Sequence, residues 1–155
     1  MHQPIDIPRI RLVPPVYFAI WIVVGSMAGL VLPQVELPVV VAQAWGWTFF
    51  TLAVLLNLWT VGSFKRAGTP LHVRRPARTF IGGGPFRLSR NPLYLSMAMC
   101  TVGFSFIAGT YWVALTLPLF IALFNRLVIA PEESYLANTF GDEYLAYARS
   151  VRRWV

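Results

Sequence analysis

Four long apolar runs leave this 155-residue chain little choice of fold. They lie at about 16–32, 39–62, 92–108 and 111–130. Each is close to the roughly 20 residues that carry a helix through a bilayer core. Charged residues make up 12% of the chain, against roughly 25% in soluble domains, and mean hydropathy is +0.60. The expectation is an all-α, multi-pass membrane protein. It is one domain over residues 1–155, with four transmembrane helices at those runs, a hydrophilic loop at 63–91 and a C-terminal cytoplasmic helical segment at 131–155.

The basic residues set the orientation. Of 13 Lys and Arg, two lie in the proline-punctuated arm at 1–15 (Arg9 and Arg11). Seven lie in the loop (Lys65, Arg66, Arg74, Arg75, Arg78, Arg87 and Arg90), and three lie in the tail (Arg149, Arg152 and Arg153). The short connections at 33–38 and 109–110 carry none. Basic residues concentrate on the cytoplasmic side, so both termini are expected there. The net charge of +7 is then a matter of topology and of contact with anionic headgroups, and no nucleic-acid partner is expected. His2, His72 and the lone Cys100 form no metal-like cluster, and one cysteine permits no intrachain disulfide. Pro33-Gln34-Val35-Glu36 lacks the small-residue pattern of a signal-peptide cleavage site.

Within the runs, Gly25 and Gly29 form a small-xxx-small pair that lets helices pack closely. Asn57 is expected to make a helix–helix hydrogen bond. Trp45, Trp47 and Trp59 lie toward the ends of the second run, as interfacial aromatics do. Pro92 is placed to start a helix, and Gly109-Thr110 is short enough to force an antiparallel hairpin. Leu136, Phe140, Tyr144 and Ala148 form a stripe of helical spacing. Gly141-Asp142 reads as a helix stop followed by a new N-cap.

The polar chemistry concentrates in two stretches. The first, 78–94, reads RTFIGGGPFRLSRNPLY, in which glycines allow close backbone approach and arginines offer forked donors. Gly82-Gly83-Gly84 is either a linker or a ligand cradle, and Arg87, Arg90 and Asn91 are either cytoplasmic flanks or ligand contacts. The second, Pro131-Glu132-Glu133, is either an acidic helix start favoured by the macrodipole or a carboxylate pair facing a ligand. Arg126, inside the fourth run, either holds an anionic partner or snorkels to the interface.

Gly84-Pro85-Phe86-Arg87 followed by Arg90-Asn91-Pro92-Leu93-Tyr94 resembles one signature of the isoprenylcysteine carboxyl methyltransferase and phospholipid N-methyltransferase superfamily. Glu132-Glu133, Leu136, Phe140-Gly141-Asp142-Glu143-Tyr144, Tyr147 and Val151-Arg152-Arg153 resemble its second. The resemblance covers about 69–154. Asn91 stands where histidine is frequent, Ser96 where glycine is frequent, and Arg152 where proline is usual. The resemblance implies an integral membrane enzyme that uses S-adenosylmethionine, yields S-adenosylhomocysteine and accepts a lipophilic, lipid or lipidated substrate laterally from the bilayer. It implies that Gly84, Pro85, Arg90, Asn91, Pro92, Tyr94, Glu132 and Glu133 frame the cofactor. Arg126 and Arg87, with Glu132, would serve the acceptor and the chemistry.

A carboxylate acceptor needs in-line positioning and exclusion of water, whereas an amine must first lose a proton to a base such as a carboxylate. Both remain open, with carboxyl methylation the first expectation and phospholipid amine methylation the alternative. A non-enzymatic membrane scaffold that binds a lipid or partner, and a small transporter, are the competing classes. Only the enzyme requires S-adenosylmethionine binding.

Overall fold

The structure, a computed structural model, describes residues 13–33, 36–69 and 79–155. Most of the N-terminal arm, the centre of the 33–38 connection, and His72, Arg74, Arg75 and Arg78 lie outside the described residues. All regular elements among the described residues are helical: α1 (Pro14–Val31), α2 (Val39–Arg66), a 3-10 turn (Gly84–Arg87), α3 (Pro92–Ile107), α4 (Tyr111–Leu115), α5 (Leu117–Phe124), a π turn (Asn125–Ile129), α6 (Ala130–Phe140) and α7 (Asp142–Ser150).

α1 and α2, at 18 and 28 residues, are long and apolar enough to cross a membrane. Only 17% of each apolar window is buried inside the protein, so neither is the covered core helix of a soluble domain. Val23, Met27 and Leu30 on α1, and Val40, Leu55 and Leu58 on α2, stand exposed. Apolar surface of this extent needs a cover, and lipid supplies it. The other two expected spans differ from a simple pair of long helices. α3 has 16 residues, about 24 Å at 1.5 Å per residue. The fourth run is broken at Thr116, two residues before Pro118, whose ring removes a donor and crowds the preceding turn. The Thr116 carbonyl instead accepts from Leu119 and Phe120 (3.1 and 3.2 Å).

The fourth run also does not stop at residue 130. It continues through the π turn into α6, where the Ala130 N–H donates to the Asn125 carbonyl five residues back. Pro131 follows directly, and the wider turn accommodates a residue that cannot donate. α1 starts two residues earlier than Val16, because Pro14 and Pro15 sit in the first turn, where a missing N–H is harmless.

α3 packs along α2 with backbones nearly touching. A Cβ on Gly103 would lie 2.9 Å from both the Gly46 carbonyl oxygen and the Phe50 nitrogen. Asn57 Nδ2 donates to Ser96 Oγ (3.2 Å) across the same interface, the expected interhelical bond. Gly25 is equally tight against Val113, 2.8 Å from its Cα. The Gly109 turn (φ +69°) is tied by Ser105 Oγ, which donates to the Thr110 carbonyl (2.8 Å) and accepts from the Ala114 N–H (3.3 Å). An aromatic core from α1, α3 and α5 joins Phe18, Phe120, Phe124 and Tyr94, mostly edge to face at 4.8–5.5 Å. Gly141 (φ +54°) ends α6 as expected, but Asp142 is the first residue of α7 and Gly141 itself stands at the cap.

Candidate active site

Tyr94 sits in the first turn of α3, with Phe124 packed against its ring (5.2 Å). Its hydroxyl donates to Glu132 Oε2 on α6 at 2.8 Å. Burial first, and the neighbouring Glu133 charge second, push the Glu132 carboxyl up to about 7, with the Tyr94 hydrogen bond pulling the other way. At neutral pH this group therefore divides between acid and carboxylate, the condition for taking or giving one proton.

Glu133 points to a different set. Arg90 Nη1 lies 3.3 Å from its Oε1. Arg153 meets it with a fork, Nε to Oε1 at 3.1 Å and Nη2 to Oε2 at 2.5 Å. The hydrogen bonds that Arg153 donates to Glu133 hold the guanidinium pKa above its usual range. The chain's last residues are stitched to the loop. The Arg90 N–H donates to the Arg152 carbonyl (2.9 Å), and Ser89 Oγ and Asn91 Nδ2 both donate to the Arg153 carbonyl (3.0 and 3.1 Å). Trp154 Nε1 reaches Asn125 Oδ1 in the π turn (3.0 Å).

The 3-10 turn lies between the end of α2 and α7. Gly84 has φ +61°, a left-handed conformation that favours glycine, and a Cβ there would meet Ser63 Oγ and Trp59 Nε1 only at ordinary contact distance, 3.4 and 3.5 Å. Pro85 is buried. Phe86 stacks edge-on against Phe64 (5.5 Å), and its carbonyl accepts from the Tyr147 hydroxyl (2.6 Å). Phe80 packs against Phe140, Tyr144 and Tyr147. Burial raises both phenols, so they stay protonated donors at neutral pH. Arg90 Nε and the Tyr144 hydroxyl are buried in this region without a well-formed hydrogen bond, and the Arg90 guanidinium lies close enough to act on the phenol.

The expected residues thus divide into groups. Arg90, Asn91, Tyr94, Glu132 and Glu133 belong to one web joining the loop, α3, α6 and the tail, with Pro92 buried at the start of α3. Gly84 and Pro85 shape the neighbouring turn. Arg87 and Arg126 are exposed and make no ion pair among the described residues. Glu132 and Glu133, the carboxylates nearest to Arg126 in sequence, are engaged by Tyr94, Arg90 and Arg153 instead. Ser89, Asn125, Tyr144, Tyr147, Arg153 and Trp154 complete the web without having been singled out as site residues. The recurrence of Tyr144, Tyr147 and Arg153 in the second signature was the available signal for three of them. Among the described residues no cluster of His, Cys, Asp or Glu could hold a metal.

The two signature stretches thus meet around a buried carboxylate in an all-helical fold. Residues 41–143 match the phospholipid methyltransferase family, and the chain belongs to it. A 63-residue stretch, 41% of this chain, is 38% identical to the whole of an uncharacterized protein from Haemophilus influenzae. No solved structure matches.

Proposed function

We propose that this chain transfers a methyl group from S-adenosylmethionine to a lipophilic acceptor at the membrane–cytoplasm interface. The observation that carries the reading is the web in which the loop signature, through Tyr94 and Arg90, holds the two carboxylates of the second signature. The donor set suits the cofactor. The buried Arg90 Nε and Tyr144 hydroxyl suit its carboxylate, and Glu132 suits a cationic group or a ribose diol. The Gly84 turn gives close backbone approach, with Pro85, Asn91 and Pro92 fixing the loop. When bound, S-adenosylmethionine supplies a methyl group activated on a sulfonium.

Carboxyl methylation, as in the isoprenylcysteine enzymes, asks no proton transfer of the protein. Glu132 favours the other member of the superfamily, methylation of a phospholipid amine. An ammonium headgroup must give up its proton before its lone pair can attack a methyl carbon. Glu132, half ionised near pH 7 and hydrogen-bonded by Tyr94, would accept that proton and pass it to solvent. Its charge also favours a cationic headgroup nearby. Arg126, exposed at the end of the fourth run, and Arg87, exposed on the loop, then meet the acceptor's phosphate, for which guanidinium forks are suited.

Four spans with both termini on the cytoplasmic side remain the topology that the basic residues support. In this topology α3 and the broken fourth run would cross as a hairpin, with the exposed Leu115, Leu119, Leu123 and Leu127 toward lipid. Reporters fused in the 33–38 connection and after Val155 are expected on opposite sides; both on one side would contradict this topology.

Calorimetry in detergent tests the cofactor assignment. One-site binding of S-adenosylmethionine, competed by S-adenosylhomocysteine, is expected for the wild type. Glu132→Gln and Glu133→Gln are each expected to weaken it by about ten- to a hundredfold, the worth of a charge-assisted contact. A folded wild type that binds neither compound contradicts the proposal and favours the scaffold.

A further inference from the structure

Arg153 lies ten residues beyond the matched family segment, yet it makes the densest set of contacts in the site. Its side chain forks onto Glu133, and its carbonyl accepts from Ser89 and Asn91. The residue before it accepts from the Arg90 N–H, and the residue after it anchors to Asn125. A forked guanidinium–carboxylate pair is geometrically demanding. Glu133 thus has both oxygens committed to this tail, and Arg90 takes what is left of Oε1. We propose that Arg153 is a positioning residue: acting through Glu133, it fixes Arg90 and balances the negative charge that stands beside Glu132.

The groups facing Glu132 make this specific. Tyr94 comes from α3, Glu133 adjoins it on α6, and Tyr144 comes from α7. Arg90 and Arg153 bear on Glu132 by way of Glu133. Glu133 acts on Glu132 as a like charge, which disfavours ionisation. Arg153 offsets that charge. Losing Arg153 leaves Glu133 compensated by Arg90 alone, so Glu132 becomes harder to ionise. Losing Glu133 removes the like charge and has the opposite effect. A residue that only held the tail in place would not move the two variants in opposite directions.

The inference deepens the proposed site and takes its functional meaning from that reading, but its test needs no turnover. The infrared absorption of the protonated Glu132 carboxyl, identified by its loss in Glu132→Gln, is followed against pH in detergent. The Glu132 midpoint is expected to shift upward in Arg153→Gln, to shift downward in Glu133→Gln, and to stay near wild type in Arg153→Lys, which keeps the charge. Thermal melting checks that each variant is folded. Midpoints that do not move, or that move the same way in both Gln variants, overturn the proposal. If Arg153→Gln does not fold, Glu133→Gln decides alone: an unchanged or raised Glu132 midpoint overturns the proposal. Absence of methyl transfer with these shifts intact would count against the enzyme assignment and not against Arg153.

Discussion

Glu132→Gln is expected to lower methyl transfer to an amine acceptor by about 10²- to 10⁴-fold, the usual worth of a positioned general base. Gln keeps the size and can still accept from Tyr94, so the helix contact survives while proton acceptance is lost. The pH profile separates this from a packing defect. The base works only when ionised, and burial has raised its carboxyl to about 7. In the wild type the ionised fraction, and with it the rate, should rise as pH increases through about 7 and then level off. In Glu132→Gln that limb should be missing from whatever activity is left. Tyr94→Phe, which removes the hydroxyl that donates to Glu132, should keep the limb but move it upward, because that hydrogen bond favours the carboxylate. A Glu132→Gln enzyme with an unaltered limb would assign the proton to another group.

Gly103→Ala is expected to cost the fold about 1–3 kcal/mol, the range for overpacking a tight interface. The added Cβ would meet Gly46 oxygen and Phe50 nitrogen at 2.9 Å and Phe50 Cα at 3.2 Å. All three are backbone atoms, so no side chain can turn away to make room, and α2 and α3 must separate. That separation would also stretch the Asn57–Ser96 bond. Gly62→Ala provides the control. Gly62 lies in α2 with nothing within 4 Å of an added Cβ, and alanine is the better helix former by roughly 0.8–1 kcal/mol. Thermal or denaturant unfolding in detergent should show a clear loss for Gly103→Ala and none for Gly62→Ala. Equal stability of the two would mean that the α2–α3 crossing is looser than its distances.

The two long helices were legible because apolar length alone identifies them. So were the start of α3 at Pro92 and the turn at Gly109, where a proline and a positive-φ glycine act locally. Asn57 was legible too, since a lone amide in an apolar helix needs a partner. The breaks in the fourth run were also written in the chain, at Pro118 and Pro131. They are hidden by a hydropathy pattern that continues across them, and whether a proline bends, interrupts or widens a helix depends on which carbonyls find other donors. The acidic pair was visible as a pair, but the different fates of its members were not. Glu132 and Glu133 are neighbours on a helix and project about 100° apart, so one reaches α3 while the other reaches the tail. That division depends on where residues 151–154 return, a contact made some 60 positions away from Ser89 to Asn91. Gly25, read only as one half of a common small-residue pair, proved to be a close-packing point because Val113 lies over it.

The reaction proposed for this chain is methyl transfer to a lipid amine. It is tested most directly by giving the purified protein methyl-labelled S-adenosylmethionine in vesicles that contain an aminophospholipid, with a prenylated cysteine supplied in parallel. Label is expected in the aminophospholipid, dependent on Glu132 and rising with pH through about 7, and not in the prenylated cysteine. Label confined to the prenylated cysteine carboxyl, or no transfer to either from a protein that binds the cofactor, would contradict it.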